Sequence, residues 1–268
     1  MMLCVLLACG LGASGARAED GEPAPAPDRS TLVRQANAPI SNIFQVRMQD
    51  SFLPEFTDVD GEGNVLTVSM TMPLPKYRVL PRPQLSVLTM PAAVTRPDGT
   101  TGFGDLRFLN IVVMGTSPTM LWGIGPSFVF PTASEPTTGQ GKWQLGPAAA
   151  IGFVRRRWTA GVVAQNPISF AGDDEREPTS ALTLLPFVTY QLGGGWFLRS
   201  QPQIGFNWRT GGQIVPLDLG AGRLFKLGGQ NVSAFVEPFW NVVTDGPTPR
   251  YGIMFGIALL YPDFWQTP

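Results

Sequence analysis

The 268-residue sequence contains no histidine, and both of its cysteines, Cys4 and Cys9, lie among the first nine residues. Histidine is the commonest general base, the usual partner of a nucleophilic serine or cysteine, and a leading zinc ligand. Its absence argues against most hydrolases and zinc enzymes. We therefore expect a protein that is not an enzyme, with no cofactor and no metal.

Charged residues are also scarce. They make up 15% of the chain, against roughly 25% in soluble domains, and the formal net charge is −1. The sequence has no basic patch, so it gives no reason to expect contact with nucleic acid. Beyond the N-terminus, glycine, proline and polar residues interrupt every apolar run before it reaches the roughly 18–20 residues of a spanning helix. These absences exclude a helical membrane protein.

The N-terminus is typical of an export signal. An apolar stretch, Met2–Gly12, is followed by small residues that end in an A-x-A pattern at Ala18. We predict a signal peptide over residues 1–18, cleaved after Ala18, which would remove both cysteines. Cleavage before Cys9 as a lipoprotein is the alternative, although it leaves very little apolar sequence. In both cases the chain leaves the cytoplasm.

The residues after the signal are acidic and rich in proline and alanine, as in the EDGEPAPAP stretch of residues 19–27. Such a composition favours an extended, unpacked segment. We predict a flexible linker over residues 19–37 and a folded domain over residues 38–268.

In the folded domain, apolar and polar residues alternate with a period of two, the pattern of strands with one apolar face. The stretch from Trp196 to Trp208 places Leu198 and Phe206 on one face and Arg199 and Gln201 on the other. Aromatic residues at both ends of the apolar face are typical of strands that contact lipid on one side and water on the other.

The whole domain divides into about twelve such segments, and short and longer connections broadly alternate between them. We predict an all-β protein: a single antiparallel transmembrane β-barrel in the outer membrane, with short periplasmic turns and longer outer loops. A soluble β-sandwich or lipocalin-like barrel is the alternative. The predicted strands are residues 43–50, 64–73, 84–94, 103–114, 119–130, 143–154, 158–169, 181–191, 196–208, 213–226, 231–243 and 251–261.

The last predicted strand resembles a barrel-assembly signal, because it combines Gly256 with alternating apolar and aromatic residues up to Tyr261. Seven residues follow this strand, whereas such signals usually stand at the very terminus. The expected partners are outer-membrane lipids, the barrel-assembly machinery through this strand, and a small-molecule solute.

Several short segments together resemble a family of bacterial outer-membrane barrels that are labelled as transporters or as proteins of the phenol-degradation meta pathway. The resemblance spans most of residues 40–261 and implies a barrel that passes small molecules, apolar or aromatic ones among them. It brings no catalytic residues. The segments are Asp58–Asn64, Thr101–Leu106, Trp122–Pro126, Gly139–Pro147 and Gln165–Ser169.

One of these segments also resembles the start of a calcium-binding loop, with acidic or amide side chains at alternate positions from Asp58 to Asn64. However, Ser69 stands where such a loop needs a bidentate glutamate. We interpret the segment as a turn between two strands.

Charged and amide residues on the polar faces are the candidate pore-lining residues, because a charge in the wall must avoid the lipid. Strands one, nine, ten and eleven become neighbours once the barrel closes, so these charges can form a ladder in one sector. The ladder could act as a selective constriction, or its charges could neutralise one another inside a nearly filled barrel. The candidates are Arg47, Arg199, Gln201, Gln203, Asn207, Arg209, Asp218 and Glu237.

The sequence thus predicts a porin-like channel of the outer membrane for the passive passage of small molecules. The alternative is a barrel that does not conduct and serves as a structural or surface-adhesion protein. Twelve strands lie between the eight of filled barrels and the sixteen to eighteen of open porins, which predicts a narrow lumen.

Overall fold

The computed structural model of the chain describes residues 28–38, 41–76 and 81–262, which form one helix and one antiparallel sheet. The helix is α1, Arg29–Asn37. The strand segments are β1 Phe44–Phe56, β2 Gly63–Leu74, β3 Gln84–Thr95, β4 Thr101–Gly102, β5 Leu106–Ser117, β6 Met120–Phe130, β7 Lys142–Arg155, β8 Trp158–Gln165, β9 Ile168–Gly172, β10 Ala181–Gly193, β11 Trp196–Ser200, β12 Ile204–Asn207, β13 Gln213–Asp218, β14 Gly220–Leu227, β15 Gln230–Val243 and β16 Pro249–Tyr261.

The segments form a closed barrel of twelve antiparallel strands, as predicted, because β16 pairs with β1 from Phe44↔Tyr261 to Phe56↔Pro249. Four of the twelve strands are interrupted and consist of two segments each, namely β4 with β5, β8 with β9, β11 with β12, and β13 with β14. The first strand extends to Phe56 rather than to residue 50. Pro54 and a register shift between Phe52 and Glu55 hide the alternation in this part of the sequence.

The two-residue turns lie at one end of the barrel, which also carries the longer connection from β2 to β3, and the longest loops lie at the other end. The two-residue turns Gly194–Gly195 and Gly228–Gly229 have positive φ at both glycines, the geometry that matches the twist of a hairpin. The opposite end carries loops such as 131–141 and 173–180. The first strand begins and the last strand ends at the short-turn end. The alternation of turns and loops therefore follows the prediction.

Alternate residues of each strand face the interior and the outside. In β16, Phe255 and Ile257 are 49% and 54% exposed, whereas Ala258 and Leu260 are 2% and 1% exposed. The exposed set is the outward one and is apolar, as in a barrel whose wall meets lipid. This arrangement excludes the alternative of a soluble sandwich or lipocalin-like barrel, whose apolar faces point inward.

Aromatic side chains collect on the outer face near both ends of the barrel. Trp158 and Tyr190 lie beside the short turns with ring centroids 4.5 Å apart, and Trp240 and Tyr251 lie near the long loops with centroids 6.4 Å apart. Such rings favour the boundary between lipid and water, because they have an apolar body and a polar tip. The two aromatic belts mark the limits of the apolar band.

Helix α1 corrects part of the linker predicted over residues 19–37. Asp28 caps the helix, since its carboxylate accepts a hydrogen bond of 2.7 Å from the backbone N–H of Thr31. Leu32, Val33 and Ala36 form one buried stripe at helical spacing. The helix is therefore stabilised by the packing of its apolar face against other parts of the chain. Residues 1–27, with the predicted signal peptide and its cleavage position, lie outside the described residues.

Candidate functional site

The apolar stripe of α1 packs inside the barrel, at the end with the short turns. Phe197 and Leu224 face inward, because their neighbours Trp196 and Arg223 lie on the opposite face of the same strands. Leu32, Val33 and Ala36 join a buried cluster with Ile43, Phe197, Leu224, Phe235, Ala258 and Leu260. The helix thus fills the lumen against β11, β14, β15 and β16.

Hydrogen bonds hold both ends of the helix to the wall. The Gln191 side chain donates to the carbonyl of Ser30 over 2.9 Å, and the Arg47 guanidinium donates to the carbonyl of Ala36 in the last turn. A cation near a helix C-terminus is favourable, because the carbonyl ends carry partial negative charge. Arg47, a predicted pore-lining residue, does lie in the lumen, where it anchors α1.

Two of the predicted pore charges form a buried ion pair. Nε of Arg199 lies 2.7 Å from Oε2 of Glu237, and the two side chains are 3% and 0% exposed. The Arg199 guanidinium also lies 4.0 Å from the ring centroid of Phe235 and donates to the Gln201 side chain. The two opposite charges therefore offset each other beside the packed helix.

Asp218 belongs to the same sector and completes the wall where the backbone ladder is interrupted. Between the paired segments β11–β14 and β12–β13, no ladder joins the chain around Gln201 to the chain around Asp218. The Asp218 carboxylate accepts hydrogen bonds from Ser200 Oγ over 2.7 Å and from the Gln201 N–H over 2.8 Å. It therefore replaces a backbone acceptor in the wall.

The structure separates the remaining candidates from this cluster. Gln203 lines a cavity elsewhere in the lumen. The Asn207 side chain accepts the backbone N–H of Arg209 over 2.9 Å and so stabilises the turn that follows β12. Arg209 itself is exposed in that outer loop. Asn207 therefore ends β12 and Arg209 lies in the following loop, and neither residue joins the Arg199–Glu237 cluster.

The opposite side of the lumen is apolar, a feature that the alternation of residues in the sequence does not predict. Ile111 is fully buried at 0% exposure, and Val163 is 3% exposed. We call this surface the apolar wall. Its buried members are Leu85, Ile111, Val113, Ala148, Ala150 and Val163, with Val87, Leu109, Leu121 and Leu185 packed against them.

Two cavities lie in succession along the apolar wall. The first, of about 230 Å³, separates α1 from the wall and reaches Leu85 and Phe187. The second, of about 160 Å³, reaches Val87 and Leu185, which are the next inward positions on the same two strands. Together the cavities trace an interrupted path on the side of the lumen that α1 leaves free.

Two of the segments that carry the family resemblance meet in an outer loop. Asp105 is 4% exposed, and its carboxylate accepts the backbone N–H groups of Ala133 over 3.2 Å and Gln140 over 2.6 Å. A side chain at Gly139 would overlap Asp105, because an added Cβ would lie 2.6 Å from its Oδ1. These segments therefore serve to fasten the loop 131–141 over β5.

The acidic segment from Asp58 to Asn64 contains the outer turn between β1 and β2, as the sequence indicates. Asp58 and Gly61 have φ values of 62° and 123°, which bend the chain sharply there. Among the described residues, no group of three or more acidic or cysteine side chains is placed to hold a metal ion. No helix of the described part has both the length and the apolar character needed to span a membrane.

A closed twelve-stranded barrel with an apolar outside, aromatic belts and a partly filled interior has the architecture of the outer-membrane barrels. The chain is similar to an outer-membrane channel of Pseudomonas putida F1, with a TM-score of 0.61 and 12% identity, over 82% of this chain and 94% of that one. It is also similar to the NanC porin, with a TM-score of 0.51 and 8% identity, over 81% of this chain and 98% of that one. At such identities the similarity shows the fold.

The sequence matches no protein-family model and no curated protein sequence.

Proposed function

We propose that the protein is an outer-membrane channel for the passive passage of small molecules, apolar and aromatic ones among them. The observation that carries this proposal is the pair of cavities along the apolar wall, because they leave the lumen partly open on that side of the described barrel. A path lined by Val87, Leu185 and Phe187 favours solutes with an apolar body over strongly hydrated ones.

In this proposal α1 closes the end of the channel that carries the short turns. The helix buries Leu32 and Val33 against one side of the lumen and leaves a narrow gap on the other. We infer an apolar constriction where the first cavity, at Leu85 and Phe187, gives way to the second, at Val87 and Leu185, and an apolar constriction can hinder ions because water leaves it readily. The channel therefore rests in a nearly closed state.

The cellular setting follows from the same proposal. Cleavage after Ala18 delivers the chain to the periplasm, and β16 then engages the barrel-assembly machinery before the barrel enters the lipid. The short turns face the periplasm and the longer loops face outward, as is usual for these barrels. The absence of histidine favours transport over catalysis. The family resemblance of the sequence supports the same assignment.

Reconstitution tests the proposal directly. The folded barrel is placed in planar bilayers for current recordings and in liposomes for swelling assays. The swelling solutes are zwitterionic amino acids, which cross lipid slowly and differ only in their side chains. We expect discrete current steps, and faster swelling in phenylalanine than in glutamine once size is considered.

A matched pair of variants links this flux to the path along the apolar wall. Phe187→Ala removes an inward ring that is 5% exposed, whereas Leu217→Ala shortens an outward side chain that is 62% exposed. We expect Phe187→Ala to raise the flux and Leu217→Ala to leave it unchanged. A folded barrel that never passes ions or solutes, in the wild type or in Phe187→Ala, would instead support a structural or adhesion role.

A further inference from the structure

Arg107 is a lumen cation that differs from its neighbours. It lies on β5 at an inward position, two residues before Leu109 and four before Ile111, and it pairs across the sheet with Thr89. Its side chain is exposed to the lumen and forms no ion pair or hydrogen bond with any residue that the structure describes. Arg199, by contrast, pairs with Glu237.

The nearest acidic group is engaged elsewhere. Asp105 lies two residues before Arg107, yet its two carboxylate oxygens accept the N–H groups of Ala133 and Gln140 in the outer loop. These two bonds hold the carboxylate in the loop, and it forms no ion pair or hydrogen bond with Arg107. The guanidinium of Arg107 is therefore available to a ligand.

The space in front of Arg107 has two kinds of lining. Arg107 borders the second cavity on the apolar wall, which has a volume of about 160 Å³. Residues of β3, β5, β8 and β10 enclose this cavity. Thr89, Thr183 and Gln203 supply hydroxyl and amide groups, while Val163 and Leu185 supply apolar surface. Cavities for drug-sized ligands measure roughly 300–1,000 Å³, so the occupant here has a single ring or a short chain.

A guanidinium presents a planar fork of N–H donors that matches a carboxylate or sulfonate through two parallel hydrogen bonds. Beside an apolar surface, such a bond gains strength because little water competes for it. We propose that Arg107 and the surrounding cavity form a binding site for small organic anions with an apolar body. The site deepens the proposed function, on which it rests, because it lies on the same path along the apolar wall.

Equilibrium binding to the folded barrel in detergent tests the site without requiring conduction. Benzenesulfonate is the probe, because it is always ionised and carries one ring. Methanesulfonate has the same anionic group without the ring, and phenyltrimethylammonium has the ring with the opposite charge. Titration calorimetry measures each ligand against a micelle blank, and heat-modifiable migration on gels confirms that each variant is folded.

We expect one benzenesulfonate to bind per barrel and the other two ligands to bind at least tenfold more weakly. Arg107→Gln should weaken benzenesulfonate binding about tenfold or more, since it removes a charge-assisted bond. Arg157→Gln, which removes an exposed arginine from a turn at the far end, should have no effect. Val163→Asn should also weaken binding, because it removes apolar surface and keeps Arg107.

The outcomes separate the two proposals. Benzenesulfonate binding that is absent, or unchanged in Arg107→Gln, overturns the site even when the barrel conducts. Binding that depends on Arg107 in a barrel that never passes ions or solutes supports the site and overturns the channel. Equal binding of methanesulfonate reduces the site to a simple anion site and refutes the role of the apolar wall.

Discussion

Releasing α1 from the lumen should open the channel, and Leu32→Ala is the change that tests this most cleanly. Leu32 is 5% exposed within the cluster that joins α1 to the wall, and alanine keeps the helix itself favourable. Replacing a buried leucine by alanine costs about 2–5 kcal/mol. Because every 1.4 kcal/mol is a factor of ten, the ratio of undocked to docked helix should rise at least about 30-fold.

Two measurements follow this change. Planar-bilayer recordings give the open probability, which should rise with the undocked population until it saturates. Trypsin cleavage after Arg34, which lies partly buried on the docked helix, reports the release of α1 independently. Arg29→Ala is the matched control, since Arg29 lies on the same helix and is exposed.

The two measurements together can refute the argument. Faster cleavage at Arg34 with an unchanged open probability and solute flux would show that α1 leaves the lumen without opening a path. The apolar constriction near Phe187 would then be the barrier. An unchanged rate of cleavage would show that Leu32 does not anchor the helix, contrary to its burial.

Three further predictions concern stability. Glu237→Gln leaves Arg199 buried without its partner and should destabilise the folded barrel by about 3–5 kcal/mol in urea unfolding, and adding Arg199→Gln should recover most of this loss. Asp105→Ala leaves two backbone N–H groups of an outer loop without their acceptor, so hydrogen exchange in loop 131–141 should accelerate by about tenfold or more while the rest of the barrel keeps its protection. The N–H of Thr31 lowers the pKa of Asp28 below its ordinary value of 3.8, so Asp28 stabilises α1 above that pH and loses this effect as the pH falls through the lowered pKa. Cleavage of α1 by pepsin, which is active in acid, should therefore become faster below about pH 4 relative to a free peptide of the α1 sequence, Asp28→Asn should remove this dependence, and a pH response that survives in Asp28→Asn would contradict the assignment.

The strands were predictable because a wall between lipid and a wetter interior imposes a period of two on the chain. The twelve predicted segments follow the observed strands closely, except where Pro54 and a bulge hide the end of the first. Glycine and proline mark the turns between them, as at Gly194–Gly195. The polar faces of the ninth and eleventh strands were also predictable, and the structure brings Arg199 and Glu237 together there.

The apolar wall and Arg107 could not be predicted in the same way. In the segment from Leu106 to Val113 most residues on both faces are apolar, so the alternation disappears and Arg107 looks like an isolated charge. Its inward position follows only from its pairing with Thr89 and its neighbours in the lumen. The helix escaped prediction for a related reason, since a stripe as short as Leu32, Val33 and Ala36 is stable only where a matching surface exists.

The amino-acid sequence alone determines that this chain builds a β-barrel, because alternation, turn residues and aromatic strand ends are local and repeat along the chain. It does not determine what fills the barrel. Groups far apart in sequence, such as the Gln191 side chain and the Ser30 carbonyl, meet only after the twelve strands close into a ring. The tertiary structure therefore decides which half of the lumen is packed, which half stays open, and which charge faces the open half.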